Sequence, residues 1–97
     1  MPLDTEFKDQ TSKLIKDTLD LYKNAGASPR IGDVWKCENI GDFLCGFFVG
    51  EMVGSALSAF QIYHQREPTP DEHMEIVGLV ENFTTEIRDF FAKFNSY

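Results

Sequence analysis

The chain has 97 residues, a formal net charge of −7 and 42% hydrophobic residues. This length predicts a single domain over residues 1–97, and the composition is typical of a folded globular protein rather than a disordered one. The negative charge argues against binding to nucleic acid or to an anionic membrane surface, because like charges repel. We therefore expect a small acidic globular domain.

The first predicted helix covers residues 4–24. Asp4 is a suitable N-cap, and Gly26 follows the last helical position as a suitable stop. Lys13 and Asp17 lie four positions apart on a charged face. Apolar side chains recur at helical spacing on the other face, which we expect to meet the core: Phe7, Leu14, Ile15, Leu19, Leu21 and Tyr22.

Residues 27–38 form a connector between the first two predicted helices. It contains Ser-Pro and Gly-Asp pairs, which favour turns. It also contains Ile31, Val34 and Trp35, which are too apolar for a free linker. We expect the connector to pack back on the helices with Trp35 partly buried; an exposed tryptophan that binds a partner is the alternative.

The second predicted helix covers residues 40–65 and contains an apolar stretch from Phe43 to Phe60. Glycine inside a helix costs roughly 1 kcal/mol relative to alanine, so a glycine-rich face needs a compensating contact. We expect this face to lie close against a neighbouring helix, in the same chain or in a second copy. Its small residues recur at every fourth position: Gly46, Gly50, Gly54 and Ser58.

The same stretch does not predict a membrane span. A spanning helix needs roughly 20 apolar residues, whereas this stretch contains Glu51 and three glycines. No cluster of Lys or Arg flanks it. The charged first ten residues also lack the apolar region of a signal peptide.

The two cysteines predict a reducing environment. On a common helix, Cys37 and Cys45 are about 12 Å apart along the axis, which is too far for a disulfide. We therefore expect thiols and a cytoplasmic location. Neither cysteine has the neighbours of a catalytic thiol.

Glu51 is the only charged residue between Phe43 and Phe60. If it is a buried carboxylate, burial raises its pKa and makes it suitable for acid–base chemistry. The simpler interpretation is that Glu51 points outward, or pairs with Arg30, Lys36 or a residue of the first helix. A single carboxylate makes no catalytic set.

The third predicted helix covers residues 70–94 and has a clear start. Thr69 is the N-cap, Pro70 occupies the first position and Glu72 completes a capping box. Apolar residues then step by four and three in a heptad seam: Ile76, Val80, Phe83, Ile87, Phe90 and Phe94. Short turns favour antiparallel neighbours, so the predicted fold is an all-α three-helix antiparallel bundle, completed by homo-oligomerisation.

A polar cluster surrounds the turn between the second and third helices: His64, Glu67, Asp71, Glu72, His73 and Glu75. Such residues suit Zn, Fe or Mn, and the candidate metal ligands among them are His64, Glu67, Glu72 and His73. The Glu-x-x-His pairs of di-metal bundles are absent, and capping already accounts for Glu72. A solvated helix end is the simpler interpretation, and no cofactor is predicted.

Three functions remain open at this point. The first is a non-enzymatic interaction or regulatory module that self-associates, most simply as a dimer, through the glycine face of the second helix, with a further protein partner. The second is a small protein that binds an apolar ligand between its helices. The third is a metal-dependent enzyme that uses the cluster at the second turn. The sequence favours the first.

Overall fold

The computed structural model describes residues 3–25 and 34–96, and these ranges are all-α, without a strand. This confirms the predicted fold class. The helices are α1 (Thr5–Ala25), α2 (Ile40–His64), α3 (Pro70–Glu81) and α4 (Thr84–Ala92), and a short 3-10 helix (Lys93–Ser96) follows them. The first two helices agree with the predicted bounds to within one residue.

Side chains cap the N-terminal ends of α1 and α2. Asp4 accepts a hydrogen bond from the backbone N–H of Phe7 at 3.1 Å, and Asn39 accepts one from the N–H of Asp42 at 3.0 Å. Gln65 ends α2 in the left-handed conformation, with φ of 56°. The predicted stop at Gly26, most of the connector and Arg30 lie outside the described residues.

The prediction of one continuous helix over residues 70–94 was wrong. The helix breaks at Asn82 and Phe83, where the Phe83 N–H bonds to the carbonyl of Val80, only three residues back. The Thr84 hydroxyl donates to the carbonyl of Glu81. Asn and Thr side chains compete with the helical backbone for hydrogen bonds, whereas the apolar spacing continues across the break and hides it.

Aromatic rings hold the helices together. Phe7 near the start of α1 contacts Phe60 near the end of α2, with ring centroids 5.6 Å apart. At the opposite end, Tyr22 contacts Phe48 at 5.2 Å. These two contacts show that α1 and α2 run antiparallel. Phe91 of α4 packs against Phe48 at 5.6 Å and so joins the C-terminal helix to the same core.

The turn between α2 and α3 is fastened by a buried carboxylate. Glu72 is only 3% exposed and receives two hydrogen bonds from Arg66, at 2.8 and 2.9 Å. Its side chain and that of Thr69 form the predicted capping box. Arg66 also lies over the ring of Phe60, 5.0 Å from the centroid. The turn is therefore tied both to α3 and to the core.

Three large apolar side chains that the sequence placed against the core are exposed instead. Trp35 is 69% exposed, which contradicts the expected burial. Leu14 and Leu21, predicted to face the core from α1, are exposed as well, because α2 and α3 cover only the part of the stripe that contains Ile15 and Leu19. The stripe is wider than the surface that covers it.

Candidate interaction surface

One long face of α2 points away from the core. Its residues step by four, three, four and four, so they share one side of the helix. All five are exposed, and we call them the α2 outer face: Phe47, Glu51, Gly54, Ser58 and Ile62. The opposite side supplies the core residues Leu44, Phe48, Met52, Ala56 and Phe60.

The predicted glycine face is open in the single chain. Gly46, Gly50 and Gly54 are exposed, and a Cβ atom added at any of them meets no other atom within 4 Å. Ser58 is also exposed. Of the two alternatives for the close contact, a neighbour in the same chain is not found among the described residues, where no helix approaches this face. Among residues 3–25 and 34–96, none covers it.

Large apolar side chains border the glycines. Phe47 is 48% exposed and Ile62 is 78% exposed. On α1, the exposed Leu14 lies across the seam from Ile62, and both line a groove of about 340 Å³. The groove is completed by Phe7, Gln10, Thr11, Ala59 and Tyr63. This side of the molecule presents apolar surface on both helices.

Glu51 is the single charge on this face. Glu51 is not a buried carboxylate, in agreement with the simpler interpretation: it is exposed and accepts a hydrogen bond from the hydroxyl of Tyr22 at 3.1 Å. Partial burial, and then this bond, raise the pKa of Tyr22. The contact was foreseen as a partner on the first helix, although the sequence did not identify which residue.

The polar cluster at the second turn is divided among different contacts. His64 lies 3.3 Å from Asp4 and packs on the ring of Phe60 at 4.4 Å. The carboxylate of Glu72 forms an ion pair with Arg66. Glu67 and His73 line a separate shallow groove with Leu57, Gln61 and Pro68. Within residues 3–25 and 34–96, no three His, Cys, Asp or Glu side chains come together as a metal-ion site.

The cysteines do not form a reactive pair. Cys37 and Cys45 are both partly buried, and they are not joined by a disulfide. Burial, and then the nearby carboxylate of Asp42, raise the pKa of the Cys45 thiol above its ordinary value. A raised pKa keeps the thiol protonated, so Cys45 acts as a small apolar group and not as a nucleophile.

Helix α2 has an apolar sequence, yet part of its surface is exposed to solvent. Among the described helices it alone is long and apolar enough to cross a membrane, and 28% of its most apolar window is buried within the chain. Core helices of soluble proteins meet the same criterion of length and composition. Part of the remaining window packs at the edge of the core, including Val49, Val53 and Leu57, and the rest is exposed.

Comparisons with protein-family models, with curated proteins and with solved structures find no match to this chain.

Proposed function

We propose that this chain is a non-enzymatic interaction module, a small helical bundle that associates with a second copy through the α2 outer face. A single observation carries the proposal: the most apolar helix exposes a face that is rimmed by Phe47 and Ile62 and has one charge, Glu51. Exposed apolar surface of this kind is typical of interfaces between proteins.

The glycines fit this role. Three helical glycines without a neighbour in the chain lower the stability of α2 by roughly 1 kcal/mol each relative to alanine. At Gly54, the glycine of the α2 outer face, a second backbone that approaches closely offsets that cost through packing that larger side chains would prevent. We place this module in the cytoplasm as part of the proposal, since its two cysteines are not linked by a disulfide.

The test is the solution mass measured by light scattering over at least a tenfold range of protein concentration. A dimer is expected for the wild type, with dissociation on dilution. Gly54→Leu is expected to abolish the dimer while the fold remains intact, because the added side chain meets open space within the chain.

Gly78→Leu is the matched control, because Gly78 of α3 is also helical and open but lies away from the α2 outer face. It is expected to dimerise as the wild type does. A wild-type chain that stays monomeric at every concentration would contradict the proposal. So would a Gly54→Leu variant that dimerises with unchanged affinity.

The groove between α1 and α2 supports a second candidate function, the binding of a small apolar ligand. Its volume of about 340 Å³ falls within the range of small-molecule sites. Glu6, hydrogen-bonded to Tyr63 at 3.3 Å, places a carboxylate beside it, so an uncharged ligand fits better than an acid. A thermal shift with apolar alcohols, absent in a Leu14→Lys variant, would favour this function.

A further inference from the structure

We propose that the two copies dock their α2 outer faces antiparallel, about a two-fold axis that passes between Gly54 and Ser55. This inference rests on the proposed function and specifies its register. It follows from the order of side chains along the face, which is chemically self-complementary when the helix is reversed.

A two-fold axis pairs residues that lie equally far from it on opposite sides. With the axis between Gly54 and Ser55, Phe47 of one copy faces Ile62 of the second copy. Glu51 faces Ser58 of the second copy. At the axis, where the two backbones are closest, the small residue Gly54 faces Ser55 of the second copy.

Each of these pairings is favourable. Phe47 and Ile62 are the two large exposed apolar side chains of the face, and pairing removes both from water. The Glu51 carboxylate already accepts a bond from Tyr22 through Oε1, and its other oxygen can accept the Ser58 hydroxyl. The charged residue thus gains a donor and does not meet a second carboxylate. A shallow crossing of about 20° keeps the outer pairs in contact.

Helix α1 extends the same symmetry. Its exposed leucines, Leu14 and Leu21, have their midpoint between Asp17 and Thr18. The antiparallel contacts of Phe7 with Phe60 and of Tyr22 with Phe48 place that midpoint within about one helical turn of Gly54. The exposed leucines of α1 therefore lie near the axis and can add apolar surface beside the α2 outer face.

An interface of stable size needs the apolar side chains of α1 in addition to the α2 outer face. Stable interfaces bury about 800 Å² per partner, drawn from roughly 20 or more residues. The five residues of the α2 outer face supply only part of such an area. The apolar side chains of α1 lie beside them and are available, since Leu21 is 65% exposed.

The register is tested by exchanging charges across the axis. Phe47→Lys and Ile62→Glu are each expected to weaken dimerisation by about tenfold or more, because each places a charge opposite an apolar side chain. The double variant is expected to regain most of the wild-type affinity, because each introduced lysine then faces an introduced glutamate of the second copy. Dissociation constants are measured by sedimentation equilibrium.

The matched control combines Met74→Lys with Ile62→Glu. Met74 is 65% exposed but lies on α3, so this pair of charges is expected to give no recovery. Equal recovery in the control, or none in the Phe47→Lys, Ile62→Glu variant, would contradict the register.

Cross-linking gives an independent test that does not depend on charge. In a background with Cys37→Ser and Cys45→Ala, Gly54→Cys is expected to form a symmetric disulfide dimer under oxidised glutathione. Thr85→Cys, exposed on α4, is expected to form no disulfide-linked dimer. A wild-type dimer without the cross-link at Gly54 and without charge recovery overturns this register and leaves the proposed function standing. A monomeric wild type overturns both.

Discussion

The side chain of Glu72, paired with Arg66, makes several stabilising contacts at once in this short chain. Glu72 caps α3, accepts two bonds from Arg66 and is almost completely buried. Arg66 first, and then the backbone of Thr69, lower the pKa of Glu72 from its ordinary value of 4.5 to about 2. The capping role was readable from the motif at Thr69, but the pairing with Arg66 was not, because it depends on the shape of the turn.

The first prediction concerns the acid stability that Glu72 provides. Between pH 4.5 and about 2 the unfolded chain binds a proton at this carboxyl that the folded chain does not, so the free energy of unfolding falls as the pH falls through this window. Glu72→Gln is expected to lower the melting temperature at pH 7 and to flatten this part of the pH dependence.

Melting curves at pH 7, 4.5 and 2.5 check this, with Glu86→Gln as the control for loss of an exposed carboxylate on α4. If Glu72→Gln and Glu86→Gln shift the melting temperature equally at every pH, the fastening role of Glu72 is wrong.

At the scale of the element, α2 combines two opposed properties. Its apolar side chains favour burial, whereas its glycines weaken the helix and lie open to solvent. Intrinsic propensity alone would favour alanine at these positions. The open glycines are one reason for the interaction proposal.

The second prediction compares Gly54→Ala in α2 with Gly78→Ala in α3. At low concentration each is expected to raise the free energy of unfolding by about 0.5–1 kcal/mol, because the new methyl group meets no atom within the chain. At high concentration the gain at Gly54 is expected to shrink, since the methyl group then separates two backbones, while the gain at Gly78 persists. Urea unfolding at two protein concentrations measures both.

Equal gains at the two sites at every concentration would show that no partner approaches Gly54. Losses at both sites would contradict the open surroundings of the two glycines.

At the scale of the whole molecule, the phenylalanines determine how the helices meet. Phe91 is fully buried and its ring contacts Tyr22, Phe48 and Phe90, at centroid distances of 6.0, 5.6 and 4.9 Å. It therefore links α1, α2 and α4 at one point. A chain of 97 residues has little other core to compensate for its loss.

The third prediction is that Phe91→Ala lowers the free energy of unfolding by about 3–5 kcal/mol, a large part of the roughly 5–15 kcal/mol typical of a domain. Phe47→Ala, which truncates a half-exposed ring, is expected to cost less than about 1 kcal/mol in the monomer. Chemical denaturation at low protein concentration compares the two. Similar losses would mean that Phe47 is buried in solution or that Phe91 is not.

The sequence by itself determined the local features of this protein. Helical periodicity and capping residues placed α1 and α2 to within a residue and located the start of α3 at Thr69 and Pro70. These signals are local, because they depend on backbone hydrogen bonds and on neighbours within one turn. The break at Asn82 and Phe83 was missed since the apolar heptad continues through it.

Only the tertiary structure decided which apolar and polar groups are covered. Periodicity put Leu14, Leu21 and Phe7 in one stripe, yet only Phe7 is buried. Periodicity also could not show whether the glycines of α2 contact another helix of the chain, or whether Glu51 is buried. Nor could it identify the partners of the carboxylates near the second turn. Burial depends on where the other helices lie, and that is fixed by contacts between residues far apart in the chain, such as Phe7 with Phe60.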